Sequence, residues 1–372
     1  MAIHGQTLIQ FIEQLAPKHF AVEHDTIGLQ LGTLNKKLER VLVTLDVTEA
    51  VVDEAIAQNI DLIIAHHAII FRPLAKIDTD VPAGKLYEKL IKHDIAVYIA
   101  HTNLDVAIGG VNDLLADVIG MEQGGSILEA TYEESLSKLV VFTPQDYTEK
   151  IAEAMWRAGA GHIGNYSHCS FQGEGVGTFL AGAAANPFIG QINELERTPE
   201  VRLETIVKES QLKAVVQAMK KAHPYEEAAF DIIPLALKGE QYGLGRVAKL
   251  KEQKTLEQLA VHIKQAFNLK AVKVVGDLSK PIKKVAVLGG MGAKYVRKAK
   301  FAGADVIVTG DIDFHTAQDA LADGIAIIDA GHHIEHVMIK GVAKWLTAKC
   351  EEQKQNVTIL ESKINTDPFQ FI

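Results

Sequence analysis

Short continuous apolar runs recur near both ends of this chain, separated by stretches with helical spacing. Near the start they are RVLVTLD (40–46), DLIIA (61–65) and IAVYIA (95–100); near the end, KKVAVLG (283–289), ADVIVTG (304–310) and IAIIDA (325–330). A run without polar alternation suits a strand buried on both faces. Between the runs, TEAVVDEAIAQN (48–59) carries apolar residues at helical spacing behind Thr48 as a plausible N-cap. Residues 6–16, KLYEKLIKHD (85–94) and 337–350 also read as helices. This repetition predicts the α/β class: a mostly parallel sheet with helices on both faces.

The middle of the chain breaks the rhythm. SKLVVFTP (137–144) reads as a strand and 146–158 as a helix. The glycine-rich stretch 159–182 suits a hairpin with tight turns, and the polar stretch around 191–199 a loop. RLETIVKE (202–209), QLKAVVQAMKKA (211–222) and FDIIPLA (230–236) follow as strand, helix and strand. The order is βαββαβ, a ferredoxin-like pattern.

With 372 residues and 48% hydrophobic content, the chain can bury a sizeable core and suits two domains better than one. A net charge of −9 disfavours sequence-independent binding to nucleic-acid phosphates. No apolar run approaches the roughly 20 residues that span a bilayer. The N-terminus lacks the apolar segment of a signal peptide. Two distant cysteines, Cys169 and Cys350, exclude a disulfide framework and point to a reducing cytoplasm.

The chemistry gathers where the strands end. His66 and His67 follow DLIIA; His101 and Asp105 follow IAVYIA; Asp311, Asp313 and His315 follow ADVIVTG; His332, His333 and Glu335 follow IAIIDA. In an open α/β sheet the C-terminal strand ends form the edge where ligands bind. Imidazole nitrogens with carboxylate oxygens suit a borderline divalent metal: zinc, manganese, iron or nickel. Neighbouring strand side chains point to opposite faces, so His66 and His67 reach one site only if the chain leaves the strand there or the site holds two ions. Two metals roughly 3.5–4 Å apart would use all these ligands, with Asp105 and Glu335 as candidate bridges. His101 and His315 are candidates to move protons. The metal residues divide into a set before 106 and a set after 310. A single site therefore requires a discontinuous α/β domain, 1–127 with 238–372, interrupted by an inserted domain, 128–237.

Other features carry less. Asp311 and Asp313 also suit helix caps. LGGMGAKYV (288–296) is a glycine turn without the spacing of a dinucleotide or P-loop motif, and reads as a packing turn. HPYEEAAFD (223–231) suits a cleft lining or a solvated turn equally. His168 and Cys169 lack the second pair a metal site needs.

AHHAIIF, HTNLDVA, TGDIDFH and DAGHHIEH, in this order, resemble the Nif-three-like family, whose bacterial members are labelled GTP cyclohydrolase 1 type 2 homologues. GAGHIGNYSHCSF, GTFLAGAAANPFIG and HPYEEAAFD resemble the PII/CutA-like insertion of the longer bacterial members. The resemblance implies a dinuclear site, a toroidal homohexamer with the metals facing its interior, and a cytoplasmic location. Carried over by position, the ligands are His66, His67, Asp105, His332 and Glu335, with His101 ligating or standing just behind. In many members the last glutamate follows its histidine by four residues. Here Glu335 is three after His332 and two after His333. His332 is favoured because it directly follows the glycine. The expected function is metal-dependent hydrolysis of a small molecule, nucleotides among the candidates, and the alternative is non-enzymatic metal handling or regulation with the insertion as a ligand sensor. Nothing in the residues specifies a purine.

Overall fold

In the computed structural model, which describes residues 2–372, the parallel strands divide between two sheets rather than filling one. The chain forms two compact units, one of residues up to Tyr132 together with Tyr242–Ile372, the other Glu133–Gln241. The first sheet of the larger unit has the order Thr358–Glu361, Arg40–Thr44, Leu62–Ala65, Ala96–Ile99, Gly28–Leu31. Its first four strands are parallel, and Gly28–Leu31 pairs antiparallel at the edge. In the second sheet Pro281–Met291, Val306–Gly310 and Ala326–Asp329 run parallel. Lys273–Val275 flanks them antiparallel on one side and Arg246–Thr255 on the other.

The apolar runs are buried on both faces because helices cover both. On one face of the first sheet, Leu42, Ile63 and Val97 pack against Val51, Val52 and Ala55 of Glu49–Ala57 and Leu90 of Pro82–Lys92. On the other, Val43, Ile64 and Tyr98 share one core with Leu8, Leu115, Leu259 and Leu346 from four helices, and with Val285, Val287 and Val306 of the second sheet. Alternate residues Ala286 and Leu288, with Ile307, face away, beneath Val296, Ala299 and Ala320. A shared helix layer thus lies between the two sheets, and both outer faces carry helices. Thr48 caps its helix by accepting from the Val51 amide. Among the described residues no helix is long and apolar enough to cross a membrane.

The smaller unit runs strand, helix Thr148–Arg157, strand Ser170–Leu180, strand Leu195–Lys208, helix Glu209–Ala222, strand. Its four strands lie in the spatial order fourth, first, third, second. Ile151, Met155, Val215 and Met219 cover Leu139, Val141, Leu203 and Val207. Two local expectations are corrected here. The glycine-rich stretch holds a tight turn only at Ile163–Tyr166, which exchange both backbone hydrogen bonds; its second half, Ser170–Leu180, instead pairs over its full length with Leu195–Lys208 across a long loop. Much of 191–199 is strand, because Leu195–Pro199 supplies the ladder partners of Val176–Leu180, which a local reading of polarity does not register.

Burial ranks the side chains energetically. Ile64→Ala, at a fully buried position, is expected to cost about 2–5 kcal/mol. Phe301→Ala, at a position 86% exposed, should stay within about 0.5 kcal/mol. Urea denaturation of both variants checks the ranking.

Candidate metal centre

Two consecutive histidines enter one site because the chain leaves the sheet between them and strand Leu62–Ala65. The amides of His66 and His67 both donate to a single carbonyl, that of Leu45, at 3.2 and 3.0 Å. A strand ladder does not pair two successive amides with one acceptor, so the strand ends there and both rings turn the same way. Their centroids lie 5.0 Å apart, and His101, just beyond Ala96–Ile99, stands 5.0 Å from His66. The short helix Thr102–Val106 places Asp105 one turn later. From the second sheet, Gly331 at φ +79° opens a turn of 3-10 helix, His332–His336, that delivers His332 and Glu335.

Each imidazole is held from behind through Nδ1. His66 donates to the Ala100 carbonyl at 2.9 Å, His67 to Asp46 at 2.6 Å, His101 to Asp25 at 2.9 Å and His332 to Asp311 at 2.7 Å. A carbonyl only accepts, so Nδ1 of His66 carries the proton and its Nε2 is bare when the ring is neutral. This is the outer support that metal-ligating histidines receive in general.

Forward, three of these rings meet one carboxylate. Glu335 Oε2 lies 3.1 Å from His67 Nε2, 3.3 Å from His332 Nε2 and 3.8 Å from His66 Nε2. His66 Nε2 is 3.6 Å from Asp105 Oδ1. Three groups have ligand atoms within 4.8 Å of one another: His66, His67 and His101; His67, His332 and Glu335; His66, Asp105 and Glu335. His66 Nε2 and Asp105 Oδ1 are buried and have no hydrogen-bond partner. Leaving such atoms unpaired is costly, and a cation between them satisfies both.

The electrostatics without a cation are strained in both directions. Burial pushes His66 down to about 4, against the pull of Glu335. Burial would also lower His67, but its hydrogen bonds to Asp46 and Glu335 outweigh it and hold the ring at about 10. The hydrogen bond to Glu335 holds His332 at about 9. Burial and then the Glu335 charge drive Asp105 well above the usual carboxylate range. Glu335 itself, despite its burial, is held low by His332 and His67.

The remaining candidates separate clearly. His333 turns away and stacks on His336, centroids 5.1 Å apart at 19°. His315 is exposed on the first turn of Phe314–Asp323 and belongs to none of the three groups; Asp313 caps that helix. Asp311 sits at φ +56° with its carboxylate on His332. The glycine turn 288–296 forms a wall of the site: a Cβ on Gly290 would stand 2.8 Å from Glu335 Oε1 and 3.3 Å from His332 Nε2, and φ there is +66°. Asp25 and Asp46 escaped sequence reasoning as imidazole supports. Asp46 left one trace, as the carboxylate closing RVLVTLD; Asp25 left none.

Comparison with known proteins gives a consistent set. The family model described as Duf34/NIF3 (NGG1p interacting factor 3) matches residues 3–368. A Bacillus subtilis (strain 168) protein named GTP cyclohydrolase 1 type 2 homolog is 52% identical over 371 residues, covering 100% of this chain and 99% of its own. The crystal structure of a Bacillus cereus protein related to NIF3 matches with a TM-score of 0.94 at 51% identity, covering 100% of both chains. A Staphylococcus aureus structure matches at 0.79 and 34% identity, covering 100% of this chain and 99% of its own.

Two outcomes follow. His67 and His332 hold protons at neutral pH that metal ligation must expel. Metal binding at pH 7.5 should therefore release at least about two protons per chain, with Asp105 adding to them to the extent that it is neutral beforehand, and affinity should rise as pH increases toward 9. Calorimetry in two buffers of different ionisation enthalpy measures this. Asp46→Asn, which weakens the support of His67, should lower metal affinity about 10–100-fold, read by competition with a chelator.

Proposed function

This chain belongs to the Duf34/NIF3 family, and from that premise we propose that its larger unit holds a pair of divalent ions and hydrolyses a small substrate. The observation that carries the reading is the pair of stranded donors, His66 Nε2 and Asp105 Oδ1, buried beside a carboxylate that two further imidazoles already share. His66, Asp105 and Glu335 would hold one ion and His67, His332 and Glu335 the other, with Glu335 common to both. A nitrogen and oxygen donor set of this kind suits zinc, manganese, iron or nickel. Bound ions would acidify a coordinated water and polarise a substrate oxygen.

The chain's own residues supply the rest. Asp25, Asp46 and Asp311 fix three imidazoles so that no ring must reorient during a turnover. We read His101 as the residue that passes a proton, which its grouping with His66 and His67 and its Nδ1 contact to Asp25 support; His315 is exposed and outside the three groups. The word cyclohydrolase in the relatives' names supports hydrolysis, and the residues here add no reason to specify a purine. We read Glu133–Gln241 as an inserted ferredoxin-like domain of the PII/CutA kind, supported by its βαββαβ order and strand arrangement. The family resemblance supports a cytoplasmic, toroidal homohexamer.

Elemental analysis of the purified protein should find about two divalent ions per chain, and His66→Ala and Asp105→Ala should each lose at least one. Full occupancy in both variants would sink the assignment. Screening the loaded protein against nucleotides and phosphoesters should find turnover that both variants lack. Tight metal binding without any turnover would favour the regulatory, non-enzymatic reading.

A further inference from the structure

A cavity of about 740 Å³ opens beside the metal centre, with His67 and His332 in its lining. That volume is in the range that encloses most of a small organic ligand. Apolar residues make up much of its lining: Leu269, Val272 and Ala330, with Pro368, Phe369 and Phe371 of the C-terminal tail. Phe369 and Phe371 are 71% and 58% exposed, so two large rings stand at this wall largely uncovered.

The tail is placed there by the fold. Strand Thr358–Glu361 pairs parallel with Arg40–Thr44, so the chain beyond it emerges at the same sheet edge as Asp46. The Ser362 amide continues the pairing to the Val43 carbonyl, and the Lys363 amide is held by Glu54. Thr366 then donates to Oδ2 of Asp46, whose Oδ1 holds His67. Asp367 folds the next residues by accepting from the Phe369 amide at 3.0 Å. The tail is thus tied to the support of a candidate ligand, with its aromatic residues next in line.

Charge narrows what the cavity accepts. Four carboxylates line it, those of Asp46, Asp311, Asp329 and Asp367, together with Lys270, Lys273 and the imidazoles of His67 and His332. Lys273 is already paired with Asp329 at 2.6 Å. A polyphosphate lying along these walls would meet carboxylates interspersed with the cations rather than a basic cluster. A flat ring between apolar walls would gain aromatic contact without that penalty.

We propose that this cavity is the substrate-body pocket of the metal centre, and that it takes a molecule whose oxygen-bearing head reaches the ions while an aromatic or heteroaromatic ring lies against Phe369 and Phe371. The proposal rests on the dinuclear reading above, and its test separates the two. The metal-loaded full-length protein is titrated with acetohydroxamate, benzohydroxamate and hexanohydroxamate. All three present the same chelating head; the second adds a ring and the third an unbranched chain.

Benzohydroxamate should bind about tenfold or more tightly than acetohydroxamate, and hexanohydroxamate should fall between. In the Phe369→Ala/Phe371→Ala double variant the advantage of the ring should shrink to about twofold or less. Acetohydroxamate affinity and metal content should be unchanged there, which also shows that the variant is folded. Equal affinities in the unaltered protein, a ring advantage that survives the double substitution, or a hexanohydroxamate advantage as large as the ring's would overturn the pocket and leave the metal centre standing. Failure of every hydroxamate to bind a fully loaded protein would remove the open coordination position, and the pocket with it.

Discussion

The Glu335 carboxylate, buried among three imidazole nitrogens, is the interaction on which the site depends. A carboxylate removed from water is tolerated only if opposite charge or hydrogen bonds replace its hydration. Here His67 and His332 do so, and Glu335 stays ionised. The neighbouring Asp105 has no such donors on Oδ1, and Glu335 drives it toward the neutral form. His66 is left neutral between them by its burial. One buried cluster therefore holds charged and uncharged members of the same residue types. Cations among these atoms, as proposed, would remove the conflict by giving the inward-facing nitrogens and oxygens a positive partner.

That cluster exists because of how parallel strands end. Leu62–Ala65 and Ala96–Ile99 share a direction and deliver His66, His67, His101 and Asp105 to one edge of the first sheet. Val306–Gly310 and Ala326–Asp329 do the same for Asp311, His332 and Glu335 in the second. The two sheets share a helix layer, Leu115 and Leu346 included, which sets the distance between the edges. Packing in this layer thus bears on the geometry of the candidate site as well as on stability. The glycine turn after Pro281–Met291 completes the arrangement, since a side chain at Gly290 would occupy the space of Glu335 Oε1.

Much of this was legible because it was written in period and position. Continuous apolar runs marked the strands, and their flanking His and Asp residues marked the edge. The preference for His332 over His333 came from its place after Gly331, and in the structure His332 faces Glu335 while His333 stacks on His336. What escaped required tertiary knowledge. Asp25 sits in a loop 76 residues from His101 and meets it only in the folded chain. The division of the strands into two sheets could not be read from runs that look alike whichever sheet they join. The strand Leu195–Lys208 hid its first turns of ladder in a polar segment, because edge pairing depends on a partner and not on local hydrophobicity. Thr358–Glu361 is short, and nothing local tells that it pairs with Arg40–Thr44.

The tail shows how such a late element acquires consequence. Asp46 divides its two oxygens, Oδ1 to His67 and Oδ2 to Thr366. One carboxylate therefore fixes the direction of a ligand ring and the seat of the segment bearing Phe369 and Phe371. Coupling through a shared group is reciprocal: whatever seating the tail contributes to the orientation of His67, a correctly oriented His67 returns to the tail. Were the centre filled as proposed, His67 would be held in one pose and the seat of the tail favoured with it. In this fold the pose of the His67 ring and the seat of the tail meet in one carboxylate.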